Sequence, residues 1–258
     1  MPRRPRLDFA GFHHVVNRGV AQTDIFLCRA DKETFLTILC KACRVYKVNV
    51  HDYCLMDNHY HIIVETTGEN LSLFMRHINS NYAIYFNKRY KRTGHLWQGR
   101  FKSWYILDNA YLYTLFRYIE HNPIKAKMSE HVGEYEYTLL ATLLNPDLAT
   151  PVCAQHSQLK KEIHHEGILE SLEIALNDGE LENLLKEQKK KIVQIEHEYK
   201  TEELCDLDVY FSDKLSRQER DEKILVALEE GHTQASIARH LKLSPSTIVK
   251  IKNRVTKK

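Results

Sequence analysis

The chain has 258 residues, 43% of them hydrophobic, and a formal net charge of +3. That length supports one good core or two modest ones, and the composition is that of a globular protein rather than a disordered or fibrous one. No apolar run approaches the roughly 18 residues of a membrane-spanning helix, and the basic start Met1-Pro-Arg-Arg-Pro-Arg6 leads into no apolar signal core, so a cytoplasmic protein is predicted.

The small net charge conceals three blocks. Residues 1–122 carry 17 Lys and Arg against 10 Asp and Glu. Residues 123–216 carry 10 against 19, and residues 217–258 carry 10 against 5. Two basic segments therefore flank an acidic one, a pattern that predicts two anion-binding surfaces. The six cysteines, at 28, 40, 43, 54, 153 and 205, are scattered rather than framed, as in a reduced cytosol. Cys40-x-x-Cys43 lies within the apolar helical pattern of Phe35, Leu36, Leu39 and Cys43, so a structural role is predicted for it.

In chain order, Phe12–Arg18 reads as a strand and Asp31–Tyr46 as a helix with Asp31 as N-cap. Asn49–Met56 and His59–Glu65 read as strands joined by the turn Asp57-Asn58. Leu71–Arg89 reads as a long helix and Leu96–Ile106 as a strand. Asp108–His121 reads as a helix capped by Asp108 and stopped by Pro123. The order β-α-β-β-α-β-α predicts an α+β fold, an antiparallel sheet with helices packed on one face, over residues 1–128.

Residues 129–216 read as a linker and an acidic, exposed helical segment that includes Lys189-Lys190-Lys191. The tail, 217–258, is all-helical. Helices over Arg217–Leu228 and Gln234–Leu241 are separated by a break at Gly231. After the turn Lys242-Leu243-Ser244 a third begins at Pro245, with Ser244 as N-cap. This predicts a helix-turn-helix DNA-binding unit with Ser246, Thr247 and Lys250 as DNA-facing residues. Lys242 stands where such turns favour glycine.

The sharpest chemical pattern is Met56-Asp-Asn-His59-Tyr60-His61-Ile-Ile-Val-Glu65. Residues two apart on a strand point the same way, so His59 and His61 project together while Tyr60, Ile62 and Val64 face the core. Two imidazoles on one rigid strand form part of a metal site. In the segment Tyr111–Pro123, Tyr118 and Asn122 share one flank at helical spacing, four residues apart. There an amide oxygen and a phenol reach a common site. A phenol suits DNA transesterification once deprotonated, because the phosphotyrosine conserves the phosphodiester energy. Tyr111 lies on the same flank and is a rival nucleophile.

These residues resemble a known family. His13-His-Val-Val-Asn-Arg18-Gly, Tyr53-Cys-Leu-Met-Asp-Asn-His59-Tyr-His61, Gly94-His-Leu-Trp97-Gln-Gly-Arg100-Phe-Lys102-Ser and Tyr118-Ile-Glu-His-Asn122-Pro123 occur in the order and spacing of the single-tyrosine HUH transposases, in particular the REP-associated branch with its IS200-like domain. The resemblance spans roughly residues 8–128. It implies a ferredoxin-like or RRM-like catalytic domain in which His59, His61 and Asn122 hold Mg²⁺ or Mn²⁺. It implies that Tyr118 attacks single-stranded DNA, keeping the 5′ phosphate and freeing a 3′ hydroxyl. The implied substrates are imperfect palindromes folded as hairpins. Arg18, Arg100 and Lys102 would contact phosphates, and Trp97 would either stack on a base or belong to the core. The chain would act at the nucleoid as a monomer or homodimer, with flanking duplex bound by the tail. The alternatives are a non-catalytic DNA-binding regulator derived from a transposase and a metal-dependent hydrolase that forms no covalent intermediate.

Overall fold

The computed structural model describes residues 9–165, 167–176, 179, 183–184, 186–187, 190–191, 206–211, 215–230, 232 and 234–255. The chain divides into two compact units, Met1–Gln188 and Lys189–Lys258.

The first unit is built on four antiparallel strands: β1 (Gly11–Arg18), β2 (Val48–Leu55), β3 (His59–Thr66) and β4 (Lys102–Ile106), in the order β2-β3-β1-β4. The alternation read from the sequence sets the faces. Val15, Tyr60, Ile62 and Val64 are fully buried, beneath the long helices α1 (Arg29–Tyr46) and α2 (Leu71–Arg89). Phe35 of α1 stacks at 4.8 Å on Tyr60, and the Tyr60 hydroxyl donates to Asn79 Oδ1 of α2 at 2.8 Å. The opposite face carries His59 and His61, and α3 (Asn109–Glu120) lies across part of it. Asp108 caps α3 by accepting from the Tyr111 N–H at 2.8 Å, as predicted.

Four local expectations change. The N-cap of α1 is Cys28, and Asp31 stands three residues into the helix, where its buried carboxylate accepts from the Leu27 and Cys28 N–H groups. The strand expected from Leu96 begins only at Lys102. Residues 96–98 instead cross the end of β1, where Leu96 O accepts from Val20 N–H and Gln98 N–H donates to Arg18 O, and the chain bends at Gly99 and Arg100. The β2–β3 connection spans residues 56–58, with Met56 added to the expected pair. Cys40 is bonded to Cys153, which ties α1 to the turn at Val152–Ala154, while Cys43 is a buried free thiol.

Residues after 128 do not lead away as a linker. The short helices α4 (Asn122–Lys125), α5 (Leu139–Leu144), α6 (Gln158–Glu162) and α7 (Ile168–Glu173) continue the first unit. Leu139, Leu140, Ala154, Leu159 and Leu172 join its core, because this stretch holds more apolar residues than an exposed connection leaves wet. Of the exposed helical segment expected within 129–216, residues 177–205 lie largely outside the described residues.

The second unit contains α8 (Leu207–Phe211), α9 (Arg217–Glu229), α10 (Gln234–His240) and α11 (Pro245–Val255). Ile224, Ala227, Ile237, Ala238, Ile248 and Ile251 form its own core. Ser244 caps α11 by accepting from the Thr247 N–H at 3.3 Å. Lys242 has φ of 52°, the left-handed backbone that makes glycine common at such a turn. The predicted break at Gly231 and the Ser246 side chain lie outside the described residues.

Candidate active site

The residues picked out by pattern meet at a cavity of about 620 Å³ in the first unit. Its lining includes His14, Arg18, His59, His61, Arg100, Lys102, Trp104 and Tyr118. Antiparallel pairing explains why. Arg18 is opposite His59, Val16 is opposite both His61 and Lys102, and His14 is opposite Trp104, so three strands deliver these side chains to one face. The Arg18-Gly19 step is sterically required, since a Cβ on Gly19 would overlap the Thr23 carbonyl. Gly19 N–H in turn donates to Asn58 O at 2.9 Å, fastening the start of β3.

The His59 and His61 rings lie 5.1 Å apart, edge to face. Each Nδ1 is engaged: His59 Nδ1 pairs with Asn58 Oδ1 at 2.6 Å, and His61 Nδ1 with His14 Nε2 at 3.0 Å. Both Nε2 atoms carry no hydrogen bond among the described residues. Burial lowers the pKa of His59, lowers that of His61 well below the usual histidine value, and pulls His14 down to about 3. Three neutral imidazoles, two with a free Nε2 toward a cavity, suit a divalent metal without a proton to displace. The donor chemistry therefore fits the ion that the resemblance implies.

Tyr118 is half-buried, with its ring 5.5 Å from that of His61 and 6.2 Å from that of His14. Tyr111, the rival on the same helix flank, is only 1% exposed and its hydroxyl is enclosed without a partner. Burial raises its pKa further. The packing of α3 thus separates two tyrosines that the sequence left equivalent. Asn122 opens α4, and its Nδ2 donates to the carbonyls of Tyr118 at 2.8 Å and Ile119 at 3.3 Å. It is not among the residues lining the cavity. Its Oδ1 has no hydrogen bond among the described residues.

Arg18, Arg100 and Lys102 are exposed at the cavity rim. Trp97 is elsewhere. Its indole N–H donates to Asn79 O at 2.9 Å and its ring meets Tyr60 at 5.8 Å and Tyr82 at 6.0 Å, so it is a core residue. The tryptophan that lines the cavity is Trp104, which the sequence reading passed over; its only signal was its place in the edge strand opposite His14. His14 was also overlooked, hidden in a His-His pair of which the two members face opposite sides. In the second unit, Lys250 is exposed, while the Thr247 hydroxyl pairs with Ser244 Oγ at 2.9 Å within the cap.

Residues 11–122 match the family model described as "Transposase IS200 like". Over this segment, a little under half of the chain, the sequence is similar to IS200-like transposase domains. No curated protein matches the chain. Among solved structures, a REP-associated tyrosine transposase bound to a REP hairpin shares 16% identity at a TM-score of 0.46, covering 61% of this chain and 93% of its own. A protein described as a transposase from Deinococcus radiodurans R1 shares 12% identity at a TM-score of 0.34, covering 47% of this chain and 97% of its own. No helix among the described residues is long and apolar enough to cross a membrane.

Proposed function

We propose that the IS200-like domain cuts and rejoins single-stranded, hairpin-forming DNA through a 5′-phosphotyrosine on Tyr118. The observation that carries this reading is the common cavity in which the Tyr118 ring lies 5.5 Å from His61, beside two histidines with uncommitted Nε2 atoms.

In this reading Arg18, Arg100 and Lys102 at the rim draw in the phosphate backbone and fix the strand's path. His59 and His61 would hold Mg²⁺ or Mn²⁺ through Nε2, with Asn122 Oδ1 as third ligand. When bound, the ion supplies charge that polarises the scissile phosphate and steadies the pentavalent transition state. Tyr118 Oη attacks phosphorus as it loses its proton. The bond from phosphorus to the 3′ oxygen breaks and that oxygen leaves as a hydroxyl. Attack of a 3′ hydroxyl on the phosphotyrosine reverses the step and joins DNA without ATP. The enclosing walls keep water from competing with that hydroxyl. The basic second unit is proposed to bind flanking duplex through α11, with Ser246, Thr247 and Lys250 on its DNA side.

Incubating an end-labelled single-stranded hairpin with the protein and Mn²⁺ is expected to give a denaturation-resistant protein–DNA adduct. Tyr118→Phe abolishes that adduct while leaving hairpin binding intact. Binding without any adduct under these conditions would instead favour a non-catalytic regulator. Released product with no covalent species would favour a hydrolase.

A further inference from the structure

We propose that His14 is a positioning residue for His61, fixing which ring nitrogen of His61 faces the metal. The inference rests on the proposed metal role of His59 and His61 and deepens it.

The geometry is specific. His14 Nε2 lies 3.0 Å from His61 Nδ1, and the two rings are nearly parallel, 16° apart with centroids at 5.3 Å. His14 also stacks on Trp104 at 5.3 Å and 26°. The ring is therefore held by a hydrogen bond to one adjacent strand and a ring contact to the other, and is 4% exposed. A bond between two neutral imidazoles contains one shared proton. If that proton belongs to His61, it sits on Nδ1, and the lone pair of His61 is then on Nε2, toward the cavity. His14 must accept it on Nε2 and carry its own proton on Nδ1. With the opposite arrangement the His61 proton would occupy Nε2 and block the metal position.

His59 obtains the same result by a different partner. Asn58 Oδ1 accepts from His59 Nδ1 at 2.6 Å, so both ligand histidines are oriented by a hydrogen bond on the nitrogen away from the metal. A carboxylate often serves in that place. Here, against His61, the partner is a second histidine, and its ring also packs the floor of the cavity. His14 is distinct from a third ligand, because its Nε2 is already spent on His61, and among the described residues no cluster of three His, Cys, Asp or Glu is arranged to hold an ion.

Two measurements on the full chain test this. Mn²⁺ affinity is titrated by the loss of the free-ion electron paramagnetic resonance signal. His14→Phe keeps the ring and loses the hydrogen bond, and it is expected to weaken Mn²⁺ binding by roughly 10–100-fold, the usual effect of removing such a partner. His14→Gln can place an amide oxygen near the lost Nε2 and is expected to recover most of that affinity. Wild-type Mn²⁺ affinity in His14→Phe would overturn the proposal. Independently, long-range ¹H–¹⁵N correlation on the metal-free protein should show His61 with its proton on Nδ1, and a proton on Nε2 would overturn the proposal even if the variants do not fold. Mn²⁺ binding that persists in the double variant His59→Ala, His61→Ala would instead remove the metal-site reading itself, and the proposal with it.

Discussion

At the scale of single residues, the site is defined as much by what burial does to similar side chains as by which side chains are present. Tyr118 and Tyr111 sit two turns apart on one helix, and one lines a cavity while the other is sealed. Asp52 and Glu120 show burial acting on acids. Both are enclosed beneath α3, Asp52 pushed well above the usual range by burial and by Glu120, and Glu120 pushed up to about 7 by burial. Below the unfolded-state value near 4.5 both folded and unfolded Glu120 hold a proton; as pH rises toward 7 only the unfolded form releases it, so stability falls across that window. Glu120→Gln keeps an oxygen for the Leu140 N–H bond at 3.1 Å and removes the titration. Its stability relative to wild type is expected to rise between pH 5 and pH 8, by on the order of 2 kcal/mol. Urea denaturation at the two pH values checks this, and an equal difference at both would contradict it.

At the scale of elements, the periodicities carried the first seven elements because each has one apolar face and an identifiable end. His59 and His61 were legible as a pair for the same reason, since strand alternation separates them from Tyr60 and Ile62. Partners that depend on pairing between strands were not legible. His14 meets His61 and Trp104 only through the register of β1 with β3 and β4, which no local pattern encodes. The sequence leaves Trp97 open between base stacking and a core role because its contacts, Asn79 and Tyr82 on α2, are likewise non-local. The short helices after residue 128 are not legible as part of the core, because five or six residues give too little periodicity to show a buried face. They matter to the site: Arg117 of α3 donates to Ile174 O at 2.8 Å, and His121 at the end of α3 pairs with Leu172 O at 2.7 Å. Leu140→Ala, at a fully buried position of α5, is expected to cost about 2–5 kcal/mol. A loss of stability below 1 kcal/mol would mean that α5 is peripheral to the fold.

At the scale of the whole molecule, the chain divides into two units with separate cores, and the boundary at Gln188 falls inside the acidic block rather than at the edge of either basic block. The acidic charge lies between those blocks along the chain. A chain ending at Gln188 retains every residue of the cavity and is expected to form the covalent adduct at near wild-type yield, while losing affinity for duplex DNA. If Lys250 contacts a phosphate as proposed, Lys250→Glu in the full chain should weaken duplex binding and make its salt dependence shallower. An adduct lost on deletion would place part of the catalytic apparatus in the second unit.

The central claim is that Tyr118 is the nucleophile, and it is tested most directly by locating the covalent bond. After reaction of the full chain with a single-stranded hairpin and Mn²⁺, nuclease and protease digestion followed by mass spectrometry should find a nucleotide 5′-phosphate attached to Tyr118. Attachment to Tyr111 or to any other residue, or a hairpin cut with no attached nucleotide, would contradict the account.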